Sequence, residues 1–224
     1  EILKKNFINF IEKTPSFGKT FICLDDKNNK DVIKKIKNLN YNTYGTNNLS
    51  NFKIINIIQK QNYSKFDLKI NLPGTKNNII KNIKVPLIGL HNIRNSTAAA
   101  AVAISVGIPN KIIKKGLENF SGVQRRFTKV FSFRNVEFFD DYAHHPTEIL
   151  EVLDGVREVY KDKEIISIFQ PHRISRLKNL HMEFSNSFKK ADTVILCPIY
   201  KAGENIKLGF NYNNFAKKII KNSN

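Results

Sequence analysis

Cysteine and long apolar runs are scarce in this sequence. The 224 residues include two cysteines, Cys23 and Cys197, each inside a short apolar run. A thiol in such a run usually behaves as a small hydrophobic side chain, so a disulfide framework and a cysteine-based metal site are excluded. No apolar run approaches the roughly 18 residues that a membrane helix needs, and residues 1–6 lack a signal-peptide layout. We expect a cytoplasmic protein.

Acidic residues are also few, with 19 Asp and Glu against 37 Lys and Arg and a net charge of +18. A charge of this size suits nucleic acid or an anionic membrane. The lysines, however, are scattered through every segment and form no stripe interleaved with stacking aromatic residues. We therefore expect no nucleic-acid partner and no membrane insertion, and we expect small anionic substrates.

Hydrophobic residues make up 41% of the chain, enough to bury a core. The pattern predicts an α/β protein of two domains, 1–121 and 122–224, divided near Gly122. In the first domain we predict helices over 1–13, 25–36, 91–106 and 110–120, and strands over 20–24, 52–58 and 66–72 in a region that is β-rich to about residue 87. In the second we predict strands over 129–133, 135–139, 164–169 and 193–199, and helices over 147–160, 178–190 and from Asn213. Beyond residue 146 helices and strands alternate, which predicts a parallel, doubly wound, Rossmann-like sheet.

The helix predicted from residue 91 begins with two asparagines, Asn92 and Asn95. Three residues apart, both amides project from one face of the first turn. Each amide offers a donor and an acceptor, so the pair could bind the edge of an adenine. The alternative is that one amide caps the helix and the other is solvated.

Arg125 and Arg126 follow Gly122 at the predicted domain boundary. A guanidinium binds phosphoryl oxygens in a bidentate manner, so an arginine lying between two domains could hold a terminal phosphate when they close. The alternative is an exposed, solvated turn.

The second predicted strand of domain two ends in a cluster of acids and histidines: Asp140, Asp141, His144 and His145. A structural zinc site needs four converging ligands, and adjacent histidines point apart, so this interpretation is disfavoured. Polar residues at the carboxyl edge of a parallel sheet are typical of ligand sites in open α/β folds. We predict that one carboxylate binds a ribose hydroxyl and that one imidazole makes a polar contact.

A second polar cluster follows the strand predicted over 164–169. It contains His172, Arg173 and Arg176, which suit a carboxylate or a phosphate. Arginines at the start of a helix can equally be solvated, and both interpretations stay open.

Four motifs in order resemble the Mur ligase family: Gly89-Leu90-His91-Asn92-x-x-Asn95, Gly122-Val123-Gln124-Arg125-Arg126-Phe127, Asp140-Asp141-Tyr142-Ala143-His144-His145-Pro146 and Phe169-Gln170-Pro171-His172-Arg173. The third is the most specific. Among family members, their order and spacing are most similar to the one that joins L-alanine to UDP-N-acetylmuramate.

The resemblance implies a reaction and a role for each residue. ATP would phosphorylate the muramate carboxylate with Mg2+ assistance, and the alanine amine would attack the acyl phosphate. Asn92 and Asn95 would face adenine, Asp141 the ribose, and Arg126 the terminal phosphate. The alanine end would be lined by Tyr142, His144, His172, Arg173 and Arg176, and Arg126 and His144 would be the catalytic residues.

The chain also departs from the family pattern. The UDP-binding domain, the glycine-rich phosphate loop and the acidic Mg2+ ligands are not found, so we expect a fragment that is inactive alone. The run Phe17-Gly18-Lys19-Thr20 has neither the spacing nor the strand-loop-helix order of a phosphate loop. Two alternatives remain: the related ligase that attaches a recycled tripeptide to the same nucleotide sugar, and a non-catalytic basic protein that binds nucleotides or nucleic acid.

Overall fold

In the computed structural model the chain divides into two units, Glu1–Ser121 and Gly122–Asn224. The structure describes residues 2–37, 40–74, 78–204 and 211–222. In these ranges, no helix combines the length and the apolar character that crossing a bilayer requires.

Unit 1 is built on a five-stranded mixed sheet in the order β1-β2-β3-β4-β5. The first three strands are parallel, and β3, β4 and β5 form an antiparallel meander. The strands are β1 (Thr20–Cys23), β2 (Tyr41–Gly45), β3 (Phe52–Lys60), β4 (Tyr63–Ile70) and β5 (Asn78–Val85). The helices are α1 (Ile2–Glu12), α2 (Lys27–Ile33), α3 (Leu90–Ser105) and α4 (Asn110–Glu118). The four helices and the β-rich region of the sequence prediction are confirmed, whereas β2 and β5 were not predicted as separate strands.

The core of unit 1 lies between the meander and helix α3. Phe52, Phe66 and Leu68 are fully buried and pack with Ile93 and Ala101 of α3. The small alanine side chains let α3 approach the sheet closely. This close packing fixes the position of the first turn of α3.

Gly89 precedes α3 with φ +90°, which disfavours a side chain. A Cβ at this position would also lie 2.6 Å from Cε1 of His91. The entry into α3 therefore requires glycine.

Unit 2 contains two two-stranded sheets. Strands β6 (Thr128–Phe133) and β7 (Val136–Asp140) form an antiparallel hairpin, and β8 (Ile166–Phe169) pairs in parallel with β9 (Thr193–Leu196). Its helices are α5 (Pro146–Val159), α6 (Ile174–Asn179), α7 (His181–Ser187) and α8 (Tyr212–Asn222). The core includes Phe169, Leu177, Phe184, Phe188 and Ile219.

Two features of unit 2 differ from the sequence prediction. The predicted turn at Arg134–Asn135 has positive φ at both positions and closes the β6–β7 hairpin, but in the described part of the chain this hairpin does not join the β8–β9 sheet. The helix predicted over 178–190 starts earlier and is broken into α6 and α7 at Leu180, whose φ of −123° and ψ of 25° are not helical.

Candidate functional site

In unit 1 the two predicted amides lie in the first turn of α3. Asn92 is half-buried, and its Nδ2 donates to the carbonyl oxygen of Ile88 at 2.7 Å. Asn95 is exposed. Gly89 is the N-cap residue and makes no side-chain capping bond, so neither amide caps the helix in the usual sense. The Oδ1 of Asn92 and the whole Asn95 amide face no protein hydrogen-bond partner that the structure defines.

The first turn of α3 is tied to the carboxyl ends of β1 and β2 by a part-buried ion pair. Nε of Arg94 lies 2.9 Å from Oδ2 of Asp25, whose side chain is only 8% exposed. The same carboxylate accepts hydrogen bonds from the backbone N–H groups of Thr46 and Asn47 and from the Thr46 hydroxyl. Burial alone would raise the pKa of Asp25, but these bonds and the Arg94 charge outweigh it and hold the pKa below its ordinary value.

In unit 2 a capping box starts helix α5. His145 is the N-cap, Pro146 is the first helical residue, and the His145 Nδ1 accepts the Thr147 N–H at 3.3 Å. Glu148 accepts the backbone N–H groups of His144 and His145 at 3.0 and 3.2 Å. Burial would raise the pKa of Glu148, but these two bonds and the nearby His144 and Arg126 charges outweigh it and lower the pKa. Glu148 therefore fixes the backbone that carries His144.

Asp141 joins two loops of unit 2. Its Oδ2 accepts the Phe127 N–H, and its Oδ1 accepts the Ala143 N–H, both at 2.7 Å. The Arg125 carbonyl oxygen accepts the Tyr142 N–H at 2.8 Å. Because both Asp141 oxygens already hold backbone donors, a ribose hydroxyl could use only their remaining lone pairs.

The two arginines of the loop have different surroundings. Nε of Arg125 lies 3.2 Å from Asp140, and its guanidinium lies 4.9 Å from the centre of the Tyr142 ring. Arg126 is half-exposed and lies 3.9 Å from Glu148. An exposed pair at this distance contributes about 0 to 1 kcal/mol, so the Arg126 guanidinium can leave it for a phosphate at little cost.

The two polar clusters of unit 2 lie together, as the sequence predicts, although the strands that precede them, β7 and β8, belong to different sheets. The His144 and His172 rings are 6.2 Å apart, edge to face. Nη1 of Arg176 lies 3.4 Å from the carbonyl oxygens of His144 and His172 and 3.4 Å from the His172 Nδ1. Burial, followed by the Arg176 charge, lowers the pKa of His172, so this imidazole is neutral at pH 7.

The His144 ring has a defined tautomer. Its Nδ1 is 2.9 Å from the Tyr142 carbonyl oxygen, which can only accept, so Nδ1 carries the hydrogen. In the neutral ring Nε2 therefore keeps its lone pair and can take a proton.

Arg173 has an exposed side chain. Its backbone has φ +67° and ψ 126°, a conformation that residues other than glycine rarely adopt. Its N–H donates to the carbonyl oxygen of Tyr200 at 3.0 Å. Glu204 accepts the Ser175 N–H at 3.0 Å and the Ser175 hydroxyl, and this joins residues 200–204 to the start of α6. The strained backbone of Arg173 is thus held by hydrogen bonds on both sides.

The structure adds five residues that the sequence analysis missed: Asp25, Arg94, Glu148, Tyr200 and Glu204. Glu148 had a signal, because it lies three residues after the N-cap and next to an N1 proline. Asp25 had a weaker one, as an acid directly after a strand. Tyr200 and Glu204 carry no local signal, since only the tertiary fold brings them to His172 and Ser175.

Within the described ranges no group of three or more His, Cys, Asp or Glu side chains is arranged to hold a metal ion. These residues alone do not fit a Mg2+ site.

Comparison with known proteins gives the family of both units. Residues 1–103 match the Mur ligase middle domain, and residues 125–223 match the Mur ligase glutamate ligase domain. The chain belongs to the Mur ligase family. The predicted resemblance is confirmed.

Relatives of this Mur ligase chain include two bacterial proteins named UDP-N-acetylmuramate–L-alanine ligase. The one from Pelagibacter ubique is 69% identical over 221 residues, 99% of this chain and 48% of the relative. The one from Bartonella quintana is 42% identical and spans 93% of this chain and 44% of the relative. The chain therefore spans about half the length of the curated relatives that it matches.

Solved structures support the Mur ligase fold. UDP-N-acetylmuramate-alanine ligase MurC from Thermotoga maritima superposes with a TM-score of 0.64 at 24% identity, covering 87% of this chain and 44% of that one. MurF from Acinetobacter baumannii gives a TM-score of 0.70 at 16% identity, covering 99% and 44%. At these identities the similarity shows the fold alone.

Proposed function

We propose that this chain is part of an ATP-dependent ligase that joins L-alanine to UDP-N-acetylmuramate. The observation that carries the proposal is the 69% identity, across 99% of the chain, to the Pelagibacter ubique protein of that name. Unit 1 then corresponds to the later part of the ATP-binding middle domain, and unit 2 to the carboxy-terminal ligase domain.

For ATP, we assign Asn92 and Asn95 to the adenine, Asp141 to the ribose and Arg126 to the terminal phosphate. The exposed Asn95 amide and the Asn92 Oδ1 support the first assignment, because they offer hydrogen-bond groups on one face of α3. The weak Arg126–Glu148 pair supports the third, because it leaves the guanidinium available.

For alanine, we assign Arg173 to the substrate carboxylate, with Arg176, His172, His144 and Tyr142 lining the rest of the site. A guanidinium fork matches a carboxylate geometrically. The exposed Arg173 side chain on a strained backbone supports this assignment, because strained residues cluster at functional sites.

These assignments give the protein mainly a positioning role. ATP transfers its terminal phosphoryl group to the muramate carboxylate, and Arg126 neutralises the charge that builds up there. The alanine ammonium gives a proton to Nε2 of His144, and the freed lone pair attacks the acyl carbon. The new C–N bond forms as phosphate leaves with the electrons of the C–O bond, and the leaving phosphate takes the second proton of the attacking nitrogen. Mg2+ would add charge neutralisation at the phosphates when bound.

The test is a hybrid ligase, in which this chain replaces the matching segment of the Pelagibacter ubique relative. We expect ADP formation that requires both UDP-N-acetylmuramate and L-alanine. The unaltered relative is the positive control. A folded hybrid without alanine-dependent ADP release, or one that prefers the tripeptide L-alanyl-γ-D-glutamyl-diaminopimelate, would contradict the proposal.

The non-catalytic alternative is tested by titrating salt against DNA binding of the 224-residue chain. Binding that follows phosphates weakens by about 10³- to 10⁵-fold between 50 and 200 mM salt when six to ten contacts form. We expect no tight DNA complex at either concentration.

A further inference from the structure

Four aromatic rings of unit 2 form a continuous row, Tyr142-His144-His172-Tyr200. Neighbouring centroids are 5.0, 6.2 and 5.3 Å apart, and the Tyr200 ring lies nearly parallel to that of His172, at 24°. The imidazoles lie in the middle of the row. The two tyrosines at its ends are 49% and 56% exposed.

Tyr200 is fixed to the Arg173 segment through its backbone. Its N–H donates to the Pro171 carbonyl oxygen at 2.9 Å, and its own carbonyl oxygen accepts the Arg173 N–H at 3.0 Å. These two bonds place Tyr200 opposite His172 as an isolated parallel bridge. The ring position is therefore coupled to the backbone strain at Arg173.

Core packing does not account for this ring. Tyr200 remains 56% exposed although its ring is large, whereas the buried aromatic residues of unit 2, such as Phe169 and Phe184, are at most 6% exposed. Two backbone hydrogen bonds hold this exposed ring beside the His172 imidazole and the Arg173 segment. Such a ring is suited to contact a small ligand.

We infer that Tyr200 is a specificity-determining residue, whose ring forms the wall of the amino-acid site facing the substrate side chain. This inference rests on the proposed function. An α-amino acid presents a carboxylate, an ammonium and a side chain from one carbon. If the substrate carboxylate binds Arg173 and the ammonium points toward His144, the substrate side chain lies at the Tyr200 end of the row. The methyl group of alanine fits against the Tyr200 ring, whereas a branched side chain clashes with it.

The kinetic test uses the hybrid ligase with L-alanine and L-valine. We expect Tyr200→Ala to lower the ratio of kcat/KM for alanine over valine about tenfold or more, since hydrophobic pockets discriminate such differences by about 10- to 200-fold. Tyr200→Phe should keep the ratio. Phe133→Ala, which removes a 59% exposed ring of β6, is the matched control and should also keep it.

A second readout needs no activity and uses the 224-residue chain. The pKa of His172 is lowered first by burial and then by the charges of Arg176, His144 and Arg173, against an opposing effect of Glu204. Removing the stacked ring in Tyr200→Ala exposes the imidazole, so its pKa, followed by NMR of the ring protons, should rise, while Tyr200→Phe should leave it unchanged.

The outcomes separate the two proposals. An active, alanine-dependent hybrid whose Tyr200→Ala variant keeps its preference for alanine overturns the role of Tyr200 and leaves the proposed function intact. An unchanged His172 pKa in a folded Tyr200→Ala chain also overturns it, because the ring then does not cover the imidazole. A folded wild-type hybrid with no alanine-dependent activity overturns both proposals.

Discussion

At the residue scale, Asp25 gives unit 1 a pH dependence of known sign. Its carboxylate is buried, accepts three hydrogen bonds from Thr46 and Asn47 and pairs with Arg94, and its pKa lies below the ordinary 3.8. A depressed folded-state pKa adds stability that is complete above about pH 5 and is lost as the pH falls through 3.8 toward the folded pKa.

We predict that Asp25→Ala destabilises unit 1 by about 2 kcal/mol at pH 7, because it removes the acceptor of the Thr46 and Asn47 hydrogen bonds and the carboxylate that pairs with Arg94. Hydrogen exchange of the β1 and β2 amides measures the change. The difference in the free energy of unfolding between Asp25→Ala and the wild type should become smaller as the pH falls below 4. Lys84→Gln, which breaks the exposed Lys84–Glu118 pair of the same unit, is the control and should cost less than 1 kcal/mol.

Asn92 distinguishes a ligand contact from a local structural bond. We predict that Asn92→Ala in the hybrid ligase raises the KM for ATP and leaves the KM for L-alanine nearly unchanged. Its bond to the Ile88 carbonyl oxygen is local, so a purely structural role would affect both substrates through a displaced helix start. Asn95→Ala is the companion variant: it removes an exposed amide, and it should also raise only the ATP constant.

Arg173 tests the carboxylate assignment. Arg173→Lys keeps the positive charge and removes the fork, so we predict that the KM for L-alanine rises about tenfold or more, on the order of the 1.5 to 3 kcal/mol of a charged hydrogen bond. The KM for ATP should barely move. Steady-state kinetics of the hybrid ligase measures both KM values. An unchanged KM for L-alanine would mean that the Arg173 side chain is solvated and does not bind the substrate carboxylate.

At the element scale, helix α5 positions the histidine cluster through its first turn. Glu148 closes the capping box and holds the backbone of both His144 and His145. The helix start and the placement of the reactive imidazole therefore depend on one carboxylate.

We predict that Glu148→Ala destabilises unit 2 by about 1 kcal/mol, the usual contribution of a cap, and lowers turnover of the hybrid ligase more than it raises the KM for ATP. Urea denaturation followed by circular dichroism gives the first quantity, and kinetics the second. Asp154→Ala removes an exposed acid from the same helix outside the capping box and should change turnover little.

At the scale of the whole molecule, local sequence patterns predicted most elements but not all of their pairings. The amphipathic and alanine-rich segments predicted helices such as α3, and the Pro146 start predicted α5. Strand β2, with the sequence YNTYG, has too few apolar residues to show a strand period, and tertiary burial alone makes it a strand. The early start of α6 involves the Arg173 backbone and the Ser175–Glu204 hydrogen bonds, and the break before α7 lies at the non-helical Leu180; neither shows in the helix pattern.

The candidate sites show the same contrast between residues that a local pattern reveals and residues that only the tertiary fold brings together. Residues grouped in the chain, such as Asp141, Tyr142 and His144, could be predicted as one cluster. The approach of His172 and Arg176 to it was predicted from a shared sheet edge, and the structure brings them together without one. Tyr200 lies 28 residues beyond His172 in the sequence, and no local pattern connects them. The functional role of each predicted site residue stays a prediction until the hybrid ligase is assayed.

The mixed sheet of unit 1 also has a kinetic consequence. In the β3–β4 hairpin Lys60 pairs with Tyr63, three positions away, whereas β1 reaches β2 only across the 21 positions that separate Thr20 from Tyr41. Closing a short loop costs less entropy, so the antiparallel meander should form before the parallel strands join it. In pulse-labelled hydrogen exchange during refolding, we predict that amides of β3 and β4 become protected earlier than those of β1. Simultaneous protection of all three strands would instead indicate a single nucleus that already includes the long crossover.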